Sequence, residues 1–219
     1  MEWRGPIMSL EHMLRMNKKY RRTRHIYDLT RKYFLLGRNR ALENLGDVNH
    51  QHVTELGCGT GRNIVMMSKA NPTAQFIAVD ISSEMLKSCA ANITKHNLNS
   101  RVTFVQASAA KFLRGAPAQS HILMSYTLSM MPDWQDVLEL VAKKLSSNGV
   151  LSLVDFGDFS GLPKPLNNWA VRCLGYNDAP PLLALPQAIA KLAAADPSLA
   201  ARIETDRIGF ARHITLTKN

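Results

Sequence analysis

The chain has 219 residues and a formal net charge of +10, with 46% hydrophobic and 20% charged residues. This length and balance are typical of one soluble globular domain with a sizeable core. No stretch approaches the roughly 20 apolar residues of a membrane span, and the first ten residues lack the apolar segment of a signal peptide. The three cysteines, Cys58, Cys89 and Cys173, show no disulfide-framework spacing and fit a reducing cytoplasm.

Most of the positive charge lies in one segment near the N-terminus. Between Arg15 and Arg40 the chain carries ten Lys or Arg residues and a single acid, Asp28. Such a segment attracts polyanions, either nucleic acid or an anionic membrane surface, where each basic residue contributes about 1 kcal/mol. A solvated helix face that only aids solubility is the plainer alternative.

The predicted elements alternate between helices and strands. Apolar spacings of three and four predict a mainly helical segment over 9–41, and a short helix follows at 39–45. Strands are predicted at 52–56, 75–80, 102–106, 121–126 and 150–155, and helices at 62–70, 83–96, 109–114 and 133–145, the last closed by Asn148-Gly149. Beyond Phe156 the pattern predicts helices at 163–175 and 182–195 and an antiparallel strand pair at 202–206 and 210–216.

This alternation predicts an α/β fold with a doubly wound, mostly parallel sheet. Ligands of such sheets bind outside the carboxyl ends of the strands. We expect a single domain, in which residues 1–46 form a basic N-terminal helical lid and residues 47–219 form the core.

The most informative stretch is Val53-Thr-Glu-Leu-Gly-Cys-Gly-Thr-Gly-Arg-Asn63. It predicts the end of a buried strand, a glycine-rich turn and the start of a helix. Three glycines at every second position, from Gly57 to Gly61, allow a tight turn and a close approach of the backbone to a ligand. The helix that follows directs free N–H groups and a positive dipole end at that ligand.

An acid follows the second strand, where Phe76-Ile-Ala-Val79 ends in Asp80. A carboxylate there suits the two hydroxyls of a ribose, but Gly-x-Gly-x-Gly is not the Gly-x-Gly-x-x-Gly spacing of nicotinamide or flavin sites. With Glu55 ahead of the glycines, the pattern resembles motifs I and II of class I methyltransferases, which have a Rossmann-like fold. The resemblance implies S-adenosylmethionine as cofactor and S-adenosylhomocysteine as product.

The same resemblance implies which residues hold the cofactor. The glycine turn would face the methionine part and Asp80 the ribose, while Ser108 stands where related enzymes often place an acid that contacts adenine. Tyr27 would cover the methionine end, and the planar guanidinium of Arg38 would pair with a carboxylate of cofactor or substrate. The predicted cofactor-binding residues are Tyr27, Arg38, Glu55, Gly57, Cys58, Gly59, Gly61, Asn63, Asp80, Ile81, Met85, Ala107, Ser108 and Ser125. Cys58 is expected to be a small filler of the turn, not a nucleophile.

Three further segments resemble bacterial diacylglyceryl-homoserine N-methyltransferases. They are residues 20–40, Ser125-Tyr-Thr-Leu-Ser-Met-Met-Pro-Asp-Trp134, and Val154-Asp-Phe-Gly-Asp158 with Gly161-Leu-Pro163 and Trp169 after it. That family adds three methyl groups to the homoserine amine of a diacylglyceryl lipid to make a membrane betaine lipid. The resemblance implies a lipid head-group substrate, and the basic N-terminal helices would hold the chain on an anionic membrane without spanning it.

Methyl transfer to an amine needs an in-line arrangement and a route for the amine's proton. The predicted catalytic residues are Tyr126, His25 and Asp155. The carboxylate of Asp155 would also stabilise the positive charge that accumulates on the acceptor. Trp134 and Trp169 would either offer aromatic faces to a methylated ammonium or, more commonly, pack in the core. The histidines and cysteines lack the spacing of metal ligands, so no metal is predicted.

Two alternatives stay open. In the first, the cofactor is the same and the substrate is RNA or a soluble amine. The basic segment allows RNA, although Ser125-Tyr126 differs from the Asn-Pro-Pro-Tyr of many nucleic-acid base methylases and argues against nucleic acid. A protein that binds the cofactor or a partner without catalysis is the second, favoured by a serine in place of an acid at residue 108. We expect the chain in the cytoplasm or peripherally at the inner membrane face, and its sequence indicates no oligomeric state.

Overall fold

The computed structural model describes residues 37–176 and 179–219, and seven strands in these residues form one sheet. The strands are β1 His52–Leu56, β2 Gln75–Asp80, β3 Val102–Gln106, β4 Gln119–Ser125, β5 Leu145–Phe156, β6 Leu199–Thr205 and β7 Ala211–Lys218. Their order across the sheet is β3-β2-β1-β4-β5-β7-β6. The first five strands pair in parallel, whereas β7 is antiparallel to β5 and β6. The predicted doubly wound, mostly parallel sheet with a closing antiparallel pair is therefore confirmed.

Helices cover both faces of the sheet. They are α1 Arg38–Glu43, α2 Arg62–Ala70, α3 Ser83–Lys95, α4 Ala109–Gly115, α5 Trp134–Lys144, α6 Lys164–Tyr176 and α7 Leu185–Ala195. Side chains of α1, α2, α3 and α6 belong to one apolar cluster, and side chains of α4, α5 and α7 belong to a second. Because successive strand residues point to opposite faces, these clusters are the two layers of core on either side of the sheet.

The strand order reverses at β1, which lies between β2 and β4. Such a switch point opens a crevice outside the carboxyl ends of the strands. The turn after Leu56, the carboxylate of Asp80 and the hydroxyl of Ser125 all lie at these ends. The topology thus brings together the segments that carry the predicted cofactor site.

The boundary between α5 and β5 differs from the prediction. The helix ends at Lys144 and the strand begins at once with Leu145, five residues before the predicted start. Asn148 has a φ of 60°, and the pairing with β4 shifts between Gln119 and His121. The Asn148-Gly149 pair is consequently a kink within the strand and not the end of the helix. The prediction missed this because irregular strand positions and helix C-termini favour the same residues.

The described part of the predicted lid is anchored to the sheet. Ala41 of α1 is fully buried, and its carbonyl accepts a hydrogen bond from Ser152 Oγ on β5 at 2.6 Å. Arg40 forms an ion pair with Glu204 of β6 at 2.6 Å. Residues 1–36, with His25, Tyr27 and eight of the ten basic residues, lie outside the described residues, so the division of the chain at residue 46 stays a prediction.

Candidate active site

The glycine turn between β1 and α2 has a backbone that only glycine adopts without strain. The φ angles of Gly57, Gly59 and Gly61 are 76°, 53° and 74°. A Cβ at Gly57 would overlap Oγ1 of Thr127, and a Cβ at Gly61 would lie 2.5 Å from Sγ of Cys89. A Cβ at Gly59 would meet no atom within 4 Å, so this residue borders open space. Packing thus excludes side chains at both ends of the turn, while its middle stays open to a ligand.

Asp80 is oriented by two backbone amides. Its Oδ2 accepts a hydrogen bond from Gly59 N and its Oδ1 one from Ser82 N, both at 2.9 Å. Burial raises the pKa of the Asp80 carboxyl, and these two amide bonds oppose that shift. Ser82 Oγ accepts a hydrogen bond from Met85 N and thereby caps α3. Ile81, between Asp80 and Ser82 in the chain, is half-buried. The carboxylate is therefore held against the glycine turn, and its remaining lone pairs can accept from ribose hydroxyls.

Glu55 is a buried carboxyl at the end of β1. Its Oε1 accepts a hydrogen bond from Asn63 Nδ2 at 2.6 Å, so the strand is tied to the first turn of α2. Burial raises the pKa of Glu55 to about 8, although Asn63 and the nearby charge of Arg38 lower it. The charge of Arg38, the first residue of α1, thus acts on this carboxyl.

Several buried polar atoms around the crevice have spare hydrogen-bonding capacity. Within the described ranges, Glu55 Oε2, Asn63 Oδ1 and Ser125 Oγ find no hydrogen-bond partner. Buried polar atoms are normally paired, so this cluster at the ends of β1 and β4 suits a polar ligand. Together with the open middle of the glycine turn, these atoms fit S-adenosylmethionine, whose methionine end carries both an ammonium and a carboxylate. The same described ranges contain no cluster of three His, Cys, Asp or Glu side chains that could hold a metal ion.

Ser108 performs a structural task that its sequence position did not reveal. Its Oγ accepts a hydrogen bond from Lys111 N at 3.2 Å and caps α4. The preceding residue, Ala107, donates its N–H to the carbonyl of Asp80 at 3.1 Å, which links the ends of β2 and β3. Although the Ser108 hydroxyl accepts this capping hydrogen bond, it can still donate its own proton to a ligand. The adenine contact stays a prediction.

Cys58 lies in the glycine turn with only 5% of its surface exposed. The neighbouring Cys89 side chain and burial raise the pKa of the Cys58 thiol well above its ordinary value. A protonated thiol is a poor nucleophile. This environment agrees with the expected role of a small filler and gives no support to a covalent mechanism.

Tyr126 belongs to an aromatic cluster. Its ring is fully buried and its centroid lies 4.8 Å from that of Phe156 and 6.5 Å from that of Phe210. The residue adopts a φ of 55°, which is uncommon outside glycine, and its N–H donates to Val154 O at 2.7 Å. Phe210 comes from the loop before β7, far along the chain, so no local signal in the sequence indicates this cluster. The catalytic role of Tyr126 stays a prediction.

Asp155 is 1% exposed and organises the turn after β4. Its Oδ2 accepts from Ser129 N and its Oδ1 from Ser129 Oγ, both at 2.8 Å, and Oδ1 also accepts from Phe156 N. These bonds give the carboxylate a positioning role for the Leu128–Met130 turn, which the prediction of an ammonium-binding residue did not include. Direct contact of Asp155 with a substrate stays a prediction.

Glu55→Gln is expected to change the pH dependence of stability. An acid with a pKa of 4.5 in the unfolded chain and about 8 in the fold keeps its proton up to a higher pH when the chain is folded. Wild-type stability therefore falls as pH rises through this window, by up to about 1.4 kcal/mol per pH unit. Glutamine does not titrate, so the melting temperature of the variant should gain on that of the wild type as pH increases. Glu139→Gln, on the exposed side of α5, is the control, and a pH-independent difference for Glu55→Gln would contradict the assignment.

The glycine turn and Asp80 lie inside a segment that matches a known family. A family model described as a methyltransferase domain matches residues 53–149, which run from β1 into β5. The trans-aconitate 2-methyltransferase of Afipia carboxidovorans is 25% identical over 104 residues, which cover 47% of this chain and 38% of that protein. A bifunctional methyltransferase of Rickettsia typhi is 28% identical over 69 residues, which cover 32% of this chain and 13% of that protein. The matches thus span well under half of each curated relative.

Solved structures show a likeness over nearly the whole chain. The plantazolicin methyltransferase BamL, in complex with a triazolic desmethylPZN analog and SAH, has a TM-score of 0.71 at 13% identity, with 97% of both chains covered. At this identity the likeness shows the fold. The predicted class I methyltransferase fold is confirmed, and the matched segment of residues 53–149 is a methyltransferase domain, as predicted. The roles of individual residues stay predictions.

Proposed function

We propose that this S-adenosylmethionine-dependent methyltransferase methylates the homoserine amine of diacylglyceryl-homoserine and produces the trimethylated betaine lipid. The matched domain and the fold supply the class of enzyme, and the acceptor is our inference. Its basis is the resemblance of three chain segments to the enzymes of betaine lipid synthesis.

The observation that carries the proposal is the way two of these segments interlock beside the crevice. Tyr126, in the segment from Ser125 to Trp134, donates its N–H to Val154 O, in the segment from Val154 to Asp158, and Ser129 donates twice to Asp155. The rings of Tyr126 and Phe156 are in contact. Residues that are 26 positions apart thus form one wall at the carboxyl ends of β4 and β5, next to Ser125.

The residues of this chain would act mainly by positioning. Bound S-adenosylmethionine supplies an electrophilic methyl carbon on a sulfonium. The residues of this chain would hold the acceptor nitrogen in line with that methyl group and leave a path to water for the amine's proton. Asp80 and Glu55 would orient the cofactor from one side, while the wall around Ser129 would hold the acceptor on the other.

Arg38 would recognise a carboxylate. Arg38 is the first residue of α1, its charge acts on Glu55, and it is half-buried. A planar ion pair between its guanidinium and a carboxylate is therefore stronger than at a solvated site. A homoserine head group and the methionine end of the cofactor both carry such a carboxylate. We assign Arg38 to one of these two groups.

An anionic membrane surface is the expected partner. None of the helices in residues 37–176 and 179–219 is long and apolar enough to cross a bilayer. The substrate is nevertheless a membrane lipid, so the enzyme must reach the head group from the surface. The cations between Arg15 and Arg40 would supply the attraction.

Competition between acceptor classes tests the proposal. The protein would be incubated with methyl-labelled S-adenosylmethionine and, in parallel, a lipid extract containing diacylglyceryl-homoserine, bulk RNA, free homoserine, or trans-aconitate, the acceptor named for one relative. We expect label in the lipid fraction, and a lipid extract without diacylglyceryl-homoserine is the matched control. Label only in RNA or in a soluble acceptor would refute the lipid substrate and leave the methyltransferase class unaffected. Cofactor binding without label in any acceptor would favour a non-catalytic protein.

A further inference from the structure

Helix α6 exposes large apolar side chains on the surface. Trp169 is 63% exposed and Leu166 is 47% exposed, one helical turn apart. Of the two alternatives for Trp169, packing in the core is therefore excluded, whereas Trp134 packs against the second core cluster as a half-buried residue. An exposed tryptophan beside an exposed leucine is unusual on a water-facing helix.

The opposite side of α6 holds the helix in place. Ala170, Val171 and Leu174 pack against the core cluster that contains Tyr126 and Phe156. Asn167 Nδ2 donates to the carbonyls of Asp158 at 2.9 Å and Phe159 at 2.7 Å, just after the end of β5. At 3.6 residues per turn, Trp169 points away from this anchored side. The exposed apolar side chains are thus presented by a helix fixed at the carboxyl edge of the sheet.

The charges of α6 have one sign. Its sequence, Lys-Pro-Leu-Asn-Asn-Trp-Ala-Val-Arg-Cys-Leu-Gly-Tyr, contains Lys164 and Arg172, both exposed, and no acid. We define the α6 face as Leu166, Trp169 and Arg172, because Lys164 lies on the side of the helix that carries Asn167 and Val171. Apolar and aromatic side chains flanked by cations are the composition of helices that lie in the interface of a membrane.

We propose that the α6 face docks on the interface of an anionic lipid bilayer, with Trp169 and Leu166 among the head groups and Arg172 beside a lipid phosphate. This inference rests on the proposed function for its purpose, because it would place the crevice at the depth of a lipid head group. The enzyme would then use two contacts with the membrane, the basic N-terminal segment and the α6 face.

Charge complementarity favours a bilayer over a second copy of the chain. Each copy carries a net charge of +10, so apposition of two cationic faces would be repulsive. An anionic lipid surface attracts Arg172 and gives the indole ring an interface in which one edge is apolar and the other is hydrated. An acidic protein partner would meet the same charges, and the experiment below distinguishes it.

Binding to vesicles tests the α6 face. The full chain would be titrated with phosphatidylcholine vesicles that contain or lack phosphatidylglycerol, and bound protein would be measured by sedimentation. We expect binding to anionic vesicles that weakens at high salt. The double variant Leu166→Ala/Trp169→Ala should bind about tenfold or more weakly, because the apolar area that enters the interface is lost. Phe104→Ala, a 36% exposed aromatic on the distant edge strand β3, is the control.

Two charge-reversal variants complete the test. Arg172→Glu should weaken vesicle binding more than Lys191→Glu, which makes the same change of charge on α7 at the other face of the sheet. Equal binding by the wild type and the α6 variants would overturn the inference, as would loss of self-association, not of vesicle binding, in those variants. Retained vesicle binding combined with capture of an acidic protein through Trp169 would also overturn it.

Activity separates this inference from the proposed function. On a short-chain, water-soluble diacylglyceryl-homoserine, a Leu166→Ala/Arg172→Glu variant should keep the rate of the wild type, and on the lipid in vesicles it should lose about tenfold. If the wild type methylates neither form, the proposed function fails while vesicle binding still reports on the α6 face. If the variant methylates both forms like the wild type, the α6 inference fails and the proposed function stands.

Discussion

Asp80→Ala is expected to weaken the binding of S-adenosylmethionine by about 100-fold or more, as the loss of two charge-assisted hydrogen bonds to a ribose would cost about 3 kcal/mol or more. The carboxylate is held in place by Gly59 N and Ser82 N, so no rearrangement is needed before it accepts from the ribose. Burial already raises its pKa, so removal of the charge relieves a cost that offsets the two lost amide bonds. Isothermal titration with the cofactor would measure the loss of affinity, and a thermal melt would measure the change in stability.

A matched control for this variant lies at the opposite end of the sheet. Asp196 accepts from the backbone N–H two residues ahead, Ser198, just as Asp80 accepts from Ser82. Asp196→Ala removes the same kind of turn contact far from the crevice, and it should leave cofactor affinity unchanged. Unchanged affinity in Asp80→Ala would remove the ribose assignment.

Gly57→Ala is expected to destabilise the fold by about 2–5 kcal/mol. The φ of 76° costs an alanine about 1–2 kcal/mol, and the overlap of its Cβ with Thr127 Oγ1 adds about 1–3 kcal/mol. Urea unfolding would measure the loss. Adding Thr127→Ala should restore only part of the stability, because the Cβ of residue 127 would still lie 2.8 Å from the new methyl group.

Gly59→Ala separates strain from ligand binding. Its φ of 53° carries the backbone cost but its Cβ meets no neighbour, so the stability should fall by only about 1–2 kcal/mol. The new methyl group would project into the open middle of the turn and should obstruct the cofactor. An equal loss of stability in both variants would show that Thr127 does not constrain Gly57.

The strands around the site could be predicted closely from the sequence. β1, β2 and β3 begin and end at the predicted residues. β1 and β2 are largely buried, as expected of central parallel strands, whereas three of the five residues of the edge strand β3 are exposed. The glycine turn carries its own signature, because its positive φ angles require glycine. The β5 boundary was missed because Asn148-Gly149 serves equally well in a strand kink and at a helix end.

The contacts between distant segments could not be predicted in this way. The proximity of Arg38 to Glu55, the double hydrogen bond from Ser129 to Asp155 and the packing of Phe210 on Tyr126 depend on the tertiary fold. Periodicity reports which side of an element is apolar, not which remote residue it meets. Ser108 shows the same limit, because a serine after a strand is equally suited to a ligand contact and to the helix cap that it forms.

The most direct measurement for the central claim is mass spectrometry of purified diacylglyceryl-homoserine after incubation with the enzyme and S-adenosylmethionine. We predict conversion to the trimethylated lipid, with S-adenosylhomocysteine released in step with each added methyl group and no product from Asp80→Ala. An unchanged lipid in the presence of an enzyme that binds the cofactor would contradict the proposed substrate.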